Sequence, residues 1–398
     1  MNEPERWFVI AHEVTNSGAS RMLLQILAGV KQRRGDAWSC EILMRRGGEL
    51  EAEFARLGRV HFLPHRWAEG RSFRAGVLRK FLDRPWLQPR RLARWLPELK
   101  AGGFDLVYNN SATNGYLVPA ARSLGCPVVT HVHELAASMR RFNSPAALDQ
   151  TMTNTDHFIA VSAAVGTDIA ACGVPSDRIQ VVHNFLPELP GEATEAGRRR
   201  RRAELGLPAD GHIVTGCGHI DPIKGVDLFV EMAAGLVAHV SEPEKLYFIW
   251  LGGITDARYT RWVKEQTRQS GLEGLIRFVG HVPQTDAWME ASDVVTVTSR
   301  QESFSLVALE AAARGCPVVA FKGARGVGSV LGEHSRLLVA EHDVAAMVAL
   351  VAGLLADPAL RQREGRALRG RIGANYLAPH GIKSVLAVTD EVRASHRK

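Results

Sequence analysis

Residues Glu302-Ser303-Phe304-Ser305-Leu306-Val307-Ala308-Leu309-Glu310 run on into Ala311-Ala312-Ala313-Arg314-Gly315-Cys316-Pro317-Val318-Val319-Ala320. An apolar, alanine-rich stretch closed by Gly315 reads as a short helix, and the Pro317-led apolar run after it reads as a strand. Two carboxylates stand eight positions apart across the start of that helix. At ~100° per residue they would lie roughly 80° apart if both were helical. They fit better with Glu302 in the preceding loop, Ser303 or Ser305 as the N-cap, and Glu310 inside the helix. A carboxylate and free backbone N–H groups then meet at one helix N-terminus, which suits a phosphate flanked by hydroxyls. Glu310, among alanines and Leu309, needs a hydrogen-bonding partner to offset the cost of its burial.

Working outward, short apolar runs alternate with helix-like stretches throughout, the pattern of α/β layers on parallel sheets. In the first half Trp7–Ala11, Cys40–Met44, Val60–Leu63, Leu106–Tyr108, Val128–His131, Phe158–Val161 and Ile179–Val182 read as strands, with a helix from about Arg21 to Gln32. The second half repeats the theme with Ile213–Cys217, Leu246–Leu251, Ile276–Val279, Val294–Val297 and Pro317–Phe321. Two doubly wound halves, joined near residues 186–197, imply a cleft at the carboxyl ends of their strands. Five consecutive arginines, Arg198–Arg202, read as part of the first helix of the second half with their charges in solvent. The tail from Pro379 reads as a last helix.

At 398 residues the chain is long for a single core, so two domains are expected. Hydrophobic residues at 46% and charged residues at 23% are ordinary for a folded protein. The five cysteines are scattered without a CxxC pair and read as buried free thiols, which points to a reducing cytoplasm. The opening Met1-Asn2-Glu3-Pro4-Glu5-Arg6-Trp7 lacks the apolar core of a secretory signal, and no run is long enough to span a bilayer. The net charge of +7 is matched by residues 66–100 alone, where ten Arg or Lys face three acids and interleave with Trp67, Phe73, Phe81, Trp86 and Trp95. That segment is a candidate surface for anionic lipid, or equally a solvated helical face; no nucleic-acid module accompanies it.

Three stretches besides the opening one carry candidate chemistry. Gly216-Cys217-Gly218-His219-Ile220-Asp221-Pro222-Ile223-Lys224-Gly225 follows a strand and precedes a helix, so its N–H groups and Lys224 can clamp a diphosphate. It matches neither GxxxxGK[ST] nor GxGxxG. Val129-Thr130-His131-Val132-His133-Glu134 puts two histidines on one strand face. With no third ligand and no Asp-x-Asp anywhere, they read as sugar- or phosphate-contacting groups and not as a metal site. Gly18, in Asn16-Ser17-Gly18-Ala19-Ser20, lies in the first strand-to-helix turn, where the backbone can approach a phosphate or acceptor.

In this order the motifs resemble those of the retaining glycosyltransferases of the GT-B fold, family 4 (glycosyl transferases group 1). The similarity is strongest over residues 212–375, through the Lys224-Gly225 loop, Leu251-Gly252-Gly253, Phe278-Val279-Gly280-His281-Val282, Ala291-Ser292-Asp293-Val294 and the Glu302–Glu310 block. It is looser in the first half, through the Gly18 loop, His133-Glu134, Val161-Ser162 and Val182-His183-Asn184. The resemblance implies an α/β fold of two Rossmann-like doubly wound domains facing across a cleft. Residues 1–188 would form the acceptor side, 189–376 would bind the donor, and the helix over 377–398 would return to the first domain. It implies a nucleotide-diphosphate-sugar as co-substrate, no cofactor and no metal. Glu310 would take the ribose hydroxyls. Glu302 and the amides of Phe304, Ser305 and Leu306 would hold the sugar and diphosphate. Lys224 would neutralise the leaving diphosphate, with Gly218 and His219 in the same loop. Val282 would meet the base, His133 the donor sugar, and Gly18 the phosphate and acceptor. The implied acceptor is a glycan or lipid-linked hydroxyl, in cell-surface polysaccharide synthesis, in the cytoplasm or peripherally on the membrane. Three departures stand out: His219 replaces a usual Arg, Ser305 a usual Gly, and Gly326-Val327-Gly328-Ser329 lacks a usual Pro-Glu. A nucleotide-sugar epimerase and a catalytically silent scaffold subunit of a polysaccharide assembly complex are the competing readings.

Overall fold

A computed structural model describes residues 4–11, 14–15, 17–45, 47–62 and 88–397. The chain divides into two compact units, one of Met1–Asn184 with Ala378–Lys398, the other of Phe185–Leu377. The break after Asn184 comes four residues before the expected boundary at 188, and Leu186 already pairs with the end of unit 2: Leu186 N donates to Tyr376 O at 2.9 Å.

Unit 1 is built on the strands β1 (Glu5–Ala11), β2 (Trp38–Met44), β3 (Arg59–Phe62), β4 (Leu106–Asn110), β5 (Val128–Val132), β6 (His157–Ala160) and β7 (Ile179–Val181). All pair in parallel in the order β3-β2-β1-β4-β5-β6-β7. β4 and β5 are buried at every residue, as strands covered on both faces must be, and their polar members Asn109, Asn110, Thr130 and His131 are buried with the rest. Between β1 and β2 runs the helix Gly18–Arg34, capped by Ser17, which accepts from Ser20 N at 3.4 Å. Its stripe Met22, Leu23, Ile26, Leu27 and Val30 is buried, and the basic Lys31, Arg33 and Arg34 close it, favourable to the helix dipole. Gly18 is therefore the first helical residue and not part of a turn.

The last helix, Ala378–His396, lies against this first helix. Gly29 permits the approach, since a Cβ there would stand 2.6 Å from Ile382 Cδ1. Arg33 donates to Pro379 O at 2.8 Å, Arg393 pairs with Glu5 at 2.7 Å, and Arg397 pairs with Asp105 at 2.7 Å. The C-terminal helix returns to the N-terminal domain.

Unit 2 carries β8 (His212–Cys217), β9 (Leu246–Leu251), β10 (Ile276–Gly280), β11 (Val294–Val297), β12 (Val318–Phe321) and β13 (Leu338–Val339). They are again all parallel, in the order β10-β9-β8-β11-β12-β13. Both sheets reverse direction beside their first strand, the doubly wound arrangement. β13 has only two residues, too short for an apolar pattern to announce it. The helix Glu195–Glu204 opens the unit as expected, but not with all its arginines in solvent. Arg202 is buried, with Nη2 2.7 Å from Asp293 Oδ2 and Nε 3.0 Å from Ala291 O. Arg198, one turn earlier on the same face, reaches toward Asp293 at 3.7 Å, whereas Arg199 and Arg200 are exposed.

The basic segment expected to meet lipid lies outside the described residues from 66 to 87; its remainder falls in the helix Gln88–Ala101. Among the described residues no single helix is long and apolar enough to cross a membrane.

Candidate functional site

In unit 2 the strand order reverses between β8 and β11, so a crevice opens outside their carboxyl ends. Lys224 ends the turn Pro222–Lys224 that follows β8. Asp221 caps this turn by accepting from Lys224 N at 3.0 Å, and Pro222 takes the first position, where its missing N–H costs nothing. The turn is then fastened to the end of β11. Gly225 adopts φ 64°, and a Cβ there would stand 2.1 Å from Thr298 O, so only glycine lets the two loops lie together. Thr298 Oγ1 donates to Lys224 O at 3.3 Å, and Arg300 N donates to Ile223 O at 2.8 Å. The Arg300 guanidinium grips both oxygens of Asp227, at 2.8 and 2.6 Å, and Pro222 O at 2.8 Å, while Tyr259 donates to Asp227 at 2.6 Å.

This scaffold brings Lys224 Nζ to 2.7 Å from Glu302 Oε1, which also accepts from Ser299 Oγ at 2.7 Å. Partial burial alone would lower the ammonium pKa, but the charge and hydrogen bond of Glu302, with Asp221 behind, outweigh it and hold it above its ordinary value. Glu302 is in a loop, as expected, and its own backbone is paired: its N–H donates to Ala324 O at 3.0 Å and its carbonyl accepts from Gly326 N at 2.9 Å. Ser305, not Ser303, is the N-cap of the helix Leu306–Ala313, accepting from Ala308 N at 3.3 Å. Phe304 and Ser305 are buried and Leu306 half-buried at this N-terminus. Glu310 is buried inside the helix, and Thr285 Oγ1 donates to its Oε2 at 2.6 Å.

Gly218 accepts from Trp250 Nε1 at 2.9 Å, His219 beside it is exposed, and Val282 follows β10 half-buried. Cys217, under this edge, has its thiol pushed up to about 12 by burial, then by the negative field of Glu310 and Glu302, against Lys224. The donor-side residues named from sequence in the β8 loop and the Glu302–Glu310 block are thus gathered at the carboxyl edge of one sheet. Ser299, Thr285, Arg300 and Asp227 were not foreseen. Only Asp221 carried a local signal, the Asp-Pro pair of a capped turn.

In unit 1 the candidate residues sit at the carboxyl ends of β4 and β5. A row of rings crosses the sheet: Trp38 to Trp7 at 5.6 Å, Trp7 to Tyr108 at 5.6 Å, Tyr108 to His131 at 6.1 Å and His131 to His133 at 4.4 Å. The two histidines share a face, as alternation requires. His131 Nδ1 is 2.8 Å from Tyr108 Oη, and His133 Nε2 is 3.0 Å from Asn110 Oδ1. Burial lowers both histidines, His133 to about 4. Glu134 faces the loop after β4, accepting from Ser111 Oγ at 2.5 Å, Ala112 N at 3.3 Å and His133 N at 3.1 Å. Its pKa is raised by burial, with these hydrogen bonds acting against the shift. Among the described residues no three His, Cys, Asp or Glu side chains converge as a metal-binding group.

A cation beside a carboxylate, at a helix N-terminus on a switch-point edge, is equipped to receive a polyphosphate carrying hydroxyls. Comparison with known proteins identifies the family. The family model described as Glycosyl transferases group 1 matches residues 211–357, and that described as Glycosyltransferase Family 4 matches residues 17–187. A D-inositol 3-phosphate glycosyltransferase of Xylanimonas cellulosilytica is 30% identical over 73% of this chain and 70% of its own length. D-inositol 3-phosphate glycosyltransferase 2 of Catenulispora acidiphila is 30% identical over 65% of this chain; the match spans 64% of that relative, a little under two thirds. HepE of Anabaena, solved in complex with UDP and glucose, superposes with a TM-score of 0.79 at 18% identity, covering 97% of this chain and 100% of that one. The chain belongs to the family 4, group 1 glycosyltransferases of the GT-B fold.

Proposed function

We propose that the protein transfers a hexose-type sugar, with retention and without a metal, from a nucleotide-diphosphate-sugar to a hydroxyl of a glycan or lipid-linked acceptor in cell-surface polysaccharide synthesis. The observation that carries this reading is the Lys224 Nζ–Glu302 Oε1 pair, 2.7 Å long, beside the helix that holds Glu310. A structural neighbour solved with UDP and glucose, and another solved with UDP-glucose, support a uridine donor. Relatives named for D-inositol 3-phosphate support including a phosphorylated cyclitol among the acceptors tried.

In the reaction the bond between the sugar C1 and the β-phosphate oxygen breaks, and charge builds on that phosphate. Lys224 and the N–H groups of the first turn of Leu306–Ala313 stabilise it. The acceptor oxygen bonds to C1 from the same face, and its proton passes to the departing phosphate, leaving the glycoside and a nucleoside diphosphate. Glu302 orients the sugar and is not a covalent nucleophile. Glu310 holds the ribose, exchanging its hydrogen bond from Thr285 for ligand hydroxyls or keeping both.

Lys224→Ala is expected to cut turnover by ~10²-fold or more, the scale of losing an electrostatic stabiliser. Near-normal turnover would overturn the mechanism. Calorimetry with UDP and other nucleoside diphosphates separates an enzyme from a silent scaffold subunit, which would bind none. Product formation from the donor with no acceptor present would identify an epimerase. The basic segment 66–100 is proposed to hold the protein peripherally on the cytoplasmic face of an anionic membrane. Flotation with liposomes rich in anionic lipid should weaken on neutralising Arg90, Arg91 and Arg94 together, and unchanged flotation would remove that role.

A further inference from the structure

The buried amide of Asn110 determines which ring nitrogen of His133 carries a proton. Asn110 Nδ2 lies 3.3 Å from Ala19 O, and a carbonyl can only accept, so the amide nitrogen must face it. Oδ1 is thereby turned to His133 Nε2 at 3.0 Å, and because Oδ1 can only accept, Nε2 must donate. Burial keeps His133 neutral at pH 7, and a neutral imidazole has one N–H, so Nδ1 bears a lone pair. Among the described residues nothing donates to that Nδ1. Among the described residues the titratable groups next to the ring are His131, 4.4 Å away and itself neutral, and Glu134, engaged with the His133 amide.

We propose that Asn110 is a positioning residue that locks His133 as the Nε2–H tautomer, so that His133 meets its ligand through Nδ1 as a hydrogen-bond acceptor and recognises a sugar hydroxyl. While the ring stays neutral, the same geometry disfavours a phosphate or carboxylate oxygen at Nδ1, which would set two acceptors against each other. This deepens the reading of the chain as a sugar-handling enzyme and rests on it only for the identity of the hydroxyl-bearing ligand.

The test is a long-range ¹H–¹⁵N spectrum of the full chain, labelled at histidine, at pH 7.5 without substrate. His133 is assigned by the signals lost in His133→Gln. The expected result is a protonated Nε2 and a pyridine-type Nδ1 for His133. An Nδ1–H ring, or a ring protonated at both nitrogens, overturns the proposal. Asn110→Asp, nearly isosteric, should keep the Nε2–H tautomer and make the ring titrate at higher pH than in the parent protein. Asn110→Ala should release a mixture of tautomers and lower kcat/KM by about 10-fold, the size of one hydrogen bond. An unchanged ring and unchanged kcat/KM in a folded Asn110→Ala protein would also overturn it. Because the spectrum needs no turnover, an Nε2–H ring in a chain that transfers no sugar would sink the proposed function and leave the tautomer standing.

Discussion

Arg202→Met should destabilise unit 2 severely. The Arg202 side chain is nearly sealed from water, and its guanidinium serves four acceptors: Asp293 Oδ2 at 2.7 Å, Ala291 O at 3.0 Å, Ala209 O at 3.1 Å and Gly211 O at 3.2 Å. Methionine fills the space with similar length but leaves three carbonyls without this donor and a buried carboxylate without its closest cation. Breaking a buried pair by removing one partner costs about 3–5 kcal/mol. Asp293 keeps Arg361 at 3.6 Å and Arg198 at 3.7 Å, along with the N–H of Ile213 at 2.8 Å, which places the loss toward the lower end of that range. For a unit of this size each kcal/mol shifts the melting temperature by about 2–4 °C, so about 3 kcal/mol means a fall of about 6–12 °C. Scanning calorimetry and urea denaturation followed by tryptophan fluorescence would measure it. Arg199→Ala, on the exposed side of the same helix, is the control and should leave the melting temperature unchanged. If Arg202→Met melted with the parent protein, the guanidinium–Asp293 cluster would not be holding this part of unit 2, and the reasoning from burial would fail.

Two other perturbations have defined outcomes. Gly225→Ala meets both a left-handed backbone and the Thr298 carbonyl, so it should cost about 1–3 kcal/mol by urea denaturation and, on the proposed function, weaken the binding of a nucleoside diphosphate by calorimetry as Lys224 moves; parent-like stability would contradict the close packing of the two loops. His133 is depressed from 6.5 to about 4 in the folded chain, so the unfolded chain binds the extra proton first as pH falls. Stability contributed by the neutral ring is complete above about pH 6.5 and is lost toward pH 4, at up to about 1.4 kcal/mol per pH unit. The raised pKa of Glu134 acts in the opposite sense, so the readout is the difference between the parent protein and His133→Gln, whose stability should fall less over that window.

Much of the site was legible because its signals are local. A serine ahead of an apolar stretch caps a helix whether or not its neighbours are known, and Ser305 does so. The glycine-bounded loop that carries Lys224 after β8 and the loop position of Glu302 follow equally from nearby residues. What was not legible depends on residues far apart in the chain. Lys224 and Glu302 are separated by 78 positions, and nothing local says that one neutralises the other. Thr285 reaches Glu310 across 25 residues from a different loop. The arginine run misled for a physical reason: five adjacent cations look alike in composition, but a helix turns Arg198 and Arg202 to one face and Arg199 and Arg200 away from it. Only the position of Asp293 decides which face is inside.

Unit 1 is assembled from two stretches of chain with the whole of unit 2 between them. During synthesis from the N-terminus, residues 185–377 are all present before the helix that covers the first helix of unit 1 has been made. Unit 2 can therefore close while unit 1 still exposes the side of Gly18–Arg34 around Gly29 that Ile382 will occupy. For that interval the unfinished surface is apolar and available to chaperones or to other nascent chains. A stop at the codon for Ala378 would leave unit 2 whole and unit 1 without the helix that covers Gly18–Arg34.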